Sequence, residues 1–263
     1  MKTRIISAIV ALAIVIPLLI LGGKYFALGV TIIGLIGYRE LLNLKCNKNK
    51  MPILVQIIGM ICVILLILSQ GEAYSILFGL TYKGLAFTVL TLLVPTIFYK
   101  KEDYNSKDAL YMIGITALIG LVFNSFILVR AFGLYRFVYL ILITTLTDTF
   151  AFVVGSLIGK HKLCPAASPK KSWEGSIAGS LIGTFIASTF YHYMISPVNL
   201  KVVLITLVLS ILGQMGDLVF SRIKRDNEIK DYSNIMPGHG GILDRLDSLI
   251  FVVLGFLLIF SSL

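Results

Sequence analysis

The chain has 263 residues, 57% of them hydrophobic and only 14% charged, with a mean hydropathy of +0.94 and a formal net charge of +10. Soluble domains carry about a quarter charged residues, so this composition excludes a water-soluble globular protein. Three cysteines, Cys46, Cys62 and Cys164, are scattered without CxxC spacing, which argues against a disulfide framework or a cysteine zinc site.

The apolar residues come in blocks suited to a hydrocarbon core of about 30 Å, which takes about 20 helical residues to cross. They run continuously apolar, with no period-two alternation, and so predict helices instead of a barrel. Met1-Lys2-Thr3-Arg4 and the run after it look superficially like a signal peptide. That run is long, is broken at Pro17 and lacks a clear small-x-small cleavage site, so Ile5–Gly22 reads as a first span. The further spans are Tyr25–Leu44, Ile53–Leu68, Gly84–Tyr99, Leu110–Val129, Phe137–Ile158, Ile177–Ile195, Val202–Val219 and Ile242–Phe260. Ile76–Leu80 is too short to span alone and either extends the fourth helix or lies at the interface. The expectation is an all-α polytopic integral membrane protein with about nine transmembrane helices. Residues 1–130 supply membrane helices for packing, dimer and lipid contacts, and residues 131–263 form a catalytic membrane domain with two motif loops.

Lysine and arginine set the orientation. Seventeen of the 23 fall at the N-terminus and around the even-numbered loops, five fall on the opposite side, and Arg245 lies within a span. The N-terminus and the even loops are therefore expected in the cytoplasm. The same bias accounts for much of the net charge without nucleic acid as a partner.

Eight of the thirteen acidic residues follow residue 140. Asp148 sits inside an apolar span, and Asp217, Asp244 and Asp247 sit at span ends. A carboxylate at membrane depth costs roughly 2.5–3.5 kcal/mol on insertion scales. One such group can serve to lock helices to a nearby arginine, but four in one half of the chain point to chemistry. Asp244 and Asp247, three residues apart at the start of span nine, share one helix face and repel unless a cation separates them. Mg²⁺ suits such a place, held by one or two carboxylates with phosphate oxygens completing its shell. Asp217 comes within reach if spans eight and nine form a hairpin. The intervening loop, 221–231 followed by Pro237-Gly238-His239-Gly240-Gly241, joins a basic cluster to glycines that permit close approach to a ligand. A second polar stretch runs from Thr144, Thr145, Thr147, Asp148 and Thr149 in span six to Ser168-Pro169-Lys170-Lys171-Ser172-Trp173-Glu174-Gly175. Trp173, the only tryptophan, reads as an interfacial anchor.

The pattern Ser221-x-x-Lys224-Arg225-x4-Lys230-Asp231-x5-Pro237-Gly238-His239-Gly240-Gly241-x-x-Asp244-Arg245-x-Asp247-Ser248, preceded by Gly213-Gln214-x-Gly216-Asp217, closely resembles the signature of the phosphatidate cytidylyltransferases, the CDP-diacylglycerol synthases. Asp148-Thr149, Gly159-Lys160 and the 168–175 stretch are similar to that family too, so the motifs cover roughly the last 120 residues. Met236 departs mildly, standing where Leu, Ile or Phe is more usual. The resemblance implies transfer of CMP from CTP to phosphatidic acid in a bacterial cytoplasmic membrane, by a homodimer embedded among membrane lipids. It implies Mg²⁺ and a second, monovalent cation such as K⁺. Asp217, Asp244 and Asp247 become metal-binding carboxylates, with Lys224 and Arg225 beside them in catalysis. Lys230, His239, Arg245, Ser221, Ser168, Lys170, Glu174 and Asp148 become substrate-binding positions, the roles of Asp148 and Glu174 being the least defined. The phosphatidate phosphate is already anionic and needs no strong base, so His239 is read as a phosphate-binding or loop residue.

Two other classes compete. A transporter would spread polar residues through several helices to the far side, whereas here they gather at one face. A polyprenol or phytol kinase would also use a nucleotide at a membrane. A CDP-alcohol phosphatidyltransferase lacks support, because no Asp-Gly-x-x-Ala-Arg motif is present.

Overall fold

The structure, a computed structural model, describes residues 2–46, 51–69 and 82–259. The Ile76–Leu80 segment, Lys48, Lys50 and Phe260 fall outside the described residues. Nine α-helices are described, one for each predicted span. Four of them, Gly23–Lys45, Ser106–Ala131, Leu134–Ile158 and Leu200–Asp226, are long and apolar enough to cross a membrane by length and composition. The all-α membrane character read from the sequence is therefore present in the structure. The chain divides into two compact units, residues 1–131 with 232–243, and residues 132–231 with 244–263.

The first unit contains α1 (Lys2–Leu21), α2 (Gly23–Cys46), α3 (Ile53–Leu68), α4 (Tyr82–Leu93) and α5 (Ser106–Ala131). Pro95 falls just after α4, and the chain tightens there into a 3-10 turn over Val94–Ile97. The α5 helix packs against α2, α3 and α4, and the unit's core includes the buried Val122 and Phe123 of α5, Val63 and Leu66 of α3 and Leu42 of α2. Its one buried amide is satisfied: Asn124 donates to the carbonyls of Leu66, Ile67 and Ser69 at 3.3, 2.9 and 2.9 Å. Those carbonyls end α3 and have no partner within that helix, so the asparagine closes both polar accounts in apolar surroundings.

The second unit contains α6 (Leu134–Ile158), strands β1 (Lys162–Cys164) and β2 (Ser168–Ser172), α7 (Trp173–Met194), α8 (Leu200–Asp226) and α9 (Leu243–Ile259), whose first residue belongs to the first unit. The two strands form an antiparallel hairpin that pairs Lys162 with Ser172 and Cys164 with Ser168. It ends directly in α7, where the Ser172 hydroxyl accepts from the amide of Gly175 at 3.2 Å as an N-cap. Helices α6 and α7 lie backbone to backbone along Gly175, Gly179 and Gly183: a Cβ at Gly179 would fall 2.6 Å from the carbonyl oxygen of Thr147. Small residues at this four-residue spacing let membrane helices approach where no hydrophobic effect drives them together. On the outside, Leu157, Leu181, Phe185 and Leu204 are exposed, an apolar surface that suits lipid.

Candidate active site

Helix α8 continues past the predicted end of span eight, through the residues that the sequence reading places in a loop, as far as Asp226. The continuation is polar but well suited to helix: Arg222 pairs with Asp226 one turn on at 2.8 Å, and Lys224 and Arg225 sit in the last turn, where the helix dipole favours cations. As a result Gln214, Asp217, Ser221 and Lys224 recur at helical spacing and share one face. Asp217 stands more than two turns inside the helix, not at its end.

That face lines a cavity of about 680 Å³ within the second unit. The opposite wall is the C-terminal half of α6, from Asp148 to Gly159, and the hairpin contributes Lys162, Lys170 and Lys171. Helix α9 adds Asp244, Arg245 and Asp247. The approach of α8 to α9 is set at Gly216, where a Cβ would lie 2.7 Å from the carbonyl oxygen of Asp247. The neighbouring residue, Asp217, is thereby brought beside the α9 carboxylates.

The cavity gathers five carboxylates (Asp148, Asp217, Asp231, Asp244, Asp247) and five cations (Lys162, Lys170, Lys171, Lys224, Arg245). Lys224 Nζ contacts Asp244 Oδ1 at 2.6 Å, with the two side chains only 10% and 3% exposed. Lys171 pairs with Asp217, whose other oxygen accepts from Ser221 Oγ at 3.1 Å. Asp247 Oδ1 accepts from the amide of Ser248 at 2.8 Å, and Ser248 Oγ donates to Asp148 Oδ2 at 3.2 Å. Charges drawn this far from water need such partners.

Seven of the residues singled out in the sequence thus line one cavity: Asp148, Lys170, Asp217, Lys224, Asp244, Arg245 and Asp247. Ser221 acts on it through Asp217. Ser168, Glu174, Arg225, Lys230 and His239 are not among the lining residues. Arg225 donates to the carbonyl of Ile229 at 3.1 Å and closes the turn after α8. Lys230 is exposed. Glu174 accepts from the amides of Lys160 and His161 at 3.2 Å and meets His161 Nδ1 at 2.6 Å, bracing the base of the hairpin. Its own backbone amide, and after it His161, hold the Glu174 carboxyl down at about 2.

His239 belongs to the first unit. Its Nδ1 lies 2.7 Å from Ser7 Oγ, and its amide donates to the carbonyl of Met236 at 2.8 Å in a tight turn. Gly238 and Gly240 flank it with φ of 77° and 87°, conformations that side chains rarely adopt.

Lys162, Lys171, Gln214 and Asp231 are among the lining residues to which the sequence reading gave no role. Lys171 entered it within the 168–175 motif stretch and among the cytoplasmic lysines, with no role of its own, and the structure puts it in the cavity together with Lys170. Gln214 stands three residues before Asp217 and so shares its helix face, a signal available from spacing alone.

As for a metal, the donors that face the cavity are hard carboxylate oxygens. Among the described residues no group of three His, Cys, Asp or Glu side chains could hold a metal ion by itself. The set fits Mg²⁺, which is commonly held by one or two carboxylates while phosphates and water supply the rest.

The whole chain also resembles known proteins. The model of the cytidylyltransferase family matches residues 2–263. A phosphatidate cytidylyltransferase of Staphylococcus aureus (strain COL) is 37% identical over 255 residues, 96% of each chain. One from Staphylococcus haemolyticus (strain JCSC1435) is 37% identical over 256 residues, and one from Staphylococcus epidermidis (strain ATCC 12228) is 38% identical over 260, both again across 96% of each chain. With the match running the full length and the polar motifs converging on one cavity, the chain belongs to the cytidylyltransferase family.

Proposed function

We propose that this protein is a phosphatidate cytidylyltransferase that transfers CMP from CTP to phosphatidate, forming CDP-diacylglycerol and pyrophosphate. The observation that carries the reading is the cavity in which carboxylates of α6, α8 and α9 face lysines of the hairpin and of α8, in a chain of this family. A phosphatidate phosphate oxygen attacks the α-phosphorus of CTP, and the bond to the β-phosphate oxygen breaks as pyrophosphate leaves. The nucleophile is already an anion, so the chain has to bring two anions together and neutralise the leaving group.

One or two of the carboxylates Asp217, Asp244 and Asp247 would hold Mg²⁺, with phosphate oxygens completing its shell, and the ion would supply charge neutralisation at the phosphates. Lys171 and Lys224 then have a double use. In the structure they neutralise Asp217 and Asp244. Once those carboxylates are engaged elsewhere, the two ammonium groups can turn to phosphate oxygens on their flexible stems. Lys162, Lys170 and Arg245 add charge to the same cavity. The asymmetry of lysine and arginine supports a cytoplasmic face for this site, and the family resemblance is what suggests a homodimer in a bacterial inner membrane.

The test is to incubate the purified protein with phosphatidic acid, Mg²⁺ and CTP labelled at the α- or the γ-phosphate. Lipid-soluble label from the α-position alone, lost on chelation by EDTA, is the expected result. Label from the γ-position in a prenol acceptor would establish a lipid kinase instead.

A further inference from the structure

The first unit contains a buried acid that no step of this reaction uses. Glu40, in the C-terminal part of α2, is 1% exposed. Its Oε1 accepts from the Ser233 hydroxyl at 2.6 Å and from the amide of Ile242 at 2.9 Å, and its Oε2 accepts from the amide of Leu243 at 2.9 Å. Leu243 is the first residue of α9, the helix that carries Asp244 and Asp247. The first amides of a helix have no partner within it, and they favour a nearby acid. Such a cap normally comes from a serine or aspartate immediately before the helix. Here Gly240-Gly241-Ile242 offers no such side chain, and a glutamate about 200 residues earlier in the chain takes its place.

The surroundings are shaped to fit. Gly37, one turn before Glu40 on α2, leaves room for the Leu243 side chain, which is fully buried: a Cβ at Gly37 would sit 3.1 Å from Leu243 Cδ2. A Cβ at Gly241 would collide with the Glu40 carboxyl group. One helical turn of α2, Gly37-Tyr38-Arg39-Glu40, is thus a socket in which both the side chain and the backbone of the α9 start are held.

We infer that Glu40 is a positioning residue for the reaction: it caps α9 and so orders the first turn of that helix, the turn on which Asp244 and Asp247 stand. The inference rests on the cytidylyltransferase reading for its kinetic consequence, but not for its structural one. Glutamine at position 40 keeps the size but replaces one acceptor oxygen with a donor, so the two amides and the serine hydroxyl can no longer all be satisfied. Support lost behind metal-binding groups typically costs about 10–100-fold in affinity or activity.

The experiment compares Glu40→Gln and Gly241→Ala with Val55→Ala, a core truncation at a fully buried site in the same unit. All are made in the full-length protein purified in detergent. Hydrogen exchange of the segment 240–246 is read together with kcat and the Mg²⁺ concentration for half-activation. Both socket variants are expected to exchange the Ile242 and Leu243 amides roughly tenfold faster. They should also raise the Mg²⁺ midpoint by about tenfold or more while the remaining protein stays folded. Val55→Ala should lose thermal stability and leave both readouts in place. Unchanged exchange and an unchanged Mg²⁺ midpoint in Glu40→Gln would overturn the inference. So would equal changes in Val55→Ala at a matched loss of melting temperature. If the wild-type protein made no CDP-diacylglycerol, the proposed function would fall, and the exchange data would still decide whether Glu40 caps α9.

Discussion

Glu40 in the first unit and Asp217 and Asp244 in the second are carboxylates withdrawn from water, and they are satisfied by different kinds of donor. Glu40 is held by two backbone amides and a serine hydroxyl. Asp217 and Asp244 are held by lysine ammonium groups that border a cavity. Backbone amides cannot leave without unfolding the segment they belong to, so they make a permanent fixture. A lysine stem rotates freely and its charge can be taken over by another cation, so a lysine partner marks a carboxylate that can change hands. The difference teaches how to tell a structural acid from a reactive one in the same membrane protein: by the mobility of what pairs with it, more than by its burial.

The comparison breaks first at the reactive side. Asp244→Asn and Asp217→Asn should each lower Mg²⁺-dependent turnover by about 10³-fold or more, since the charge is needed where phosphate charge develops. Elution and helical circular dichroism should stay as in the wild type. Near-normal turnover in either variant would remove the metal-binding assignment.

Lys224→Met sharpens the same contrast. It takes the Lys224 ammonium away from the buried Asp244 carboxylate, which should cost about 3 kcal/mol of stability, read as a lower melting temperature in detergent. Adding Asp244→Asn to it removes the carboxylate charge that Lys224 neutralises, so the double variant should regain most of that stability while staying inactive. If the double variant is no more stable than Lys224→Met, the pair is not what the lysine contributes.

How much of this was legible beforehand follows from the range of each signal. The nine helices were, because each is announced by a block of apolar residues within itself. The end of α8 was not, since Arg222–Asp226 and the basic last turn extend the helix after the apolar pattern stops. Nor was the hairpin at 162–172, which is short, polar and without alternation. The carboxylates could be found because charge in an apolar run is conspicuous. Lys171 was quoted within the 168–175 motif but given no role, because the abundance of cytoplasmic lysines already had an explanation. The turn around His239 was read as approaching a ligand, and its contact with Ser7 depends on residues 232 apart, which no local pattern encodes. Glu40 belongs to the same class.

A smaller effect is expected where the comparison concerns packing alone. Gly179→Val puts a branched side chain against the Thr147 carbonyl and the Ala151 backbone. Overpacking of this kind should cost about 1–3 kcal/mol, measured by thermal unfolding, because neither backbone can yield far. A conservative change on the lipid-exposed side of α7, such as Leu181→Val, should cost much less. Equal losses at the two positions would show that the glycine stripe does not set the contact.

The smallest effect separates a third kind of acid from the other two. Glu174 lies in the first turn of α7, ahead of the predicted span, and is held by mobile and fixed donors at once: the amides of Lys160 and His161 and the His161 ring. These donors favour its charged form, and its carboxyl titrates at about 2 in the folded protein, against about 4.3 for an unperturbed glutamate. A folded value below the unfolded one means that ionised Glu174 stabilises the hairpin at pH values above the unfolded one. That stabilisation is lost as pH falls from there through the folded value. The melting temperatures of the wild type and Glu174→Gln should therefore differ by a constant amount from neutral pH down to about pH 5, and converge toward pH 2. Because His161 is exposed and Glu174 partly so, salt should shrink the His161 share of the difference and leave the amide share. A difference that persists unchanged to pH 2 would mean that Glu174 braces the hairpin by size and shape, and not by its charge.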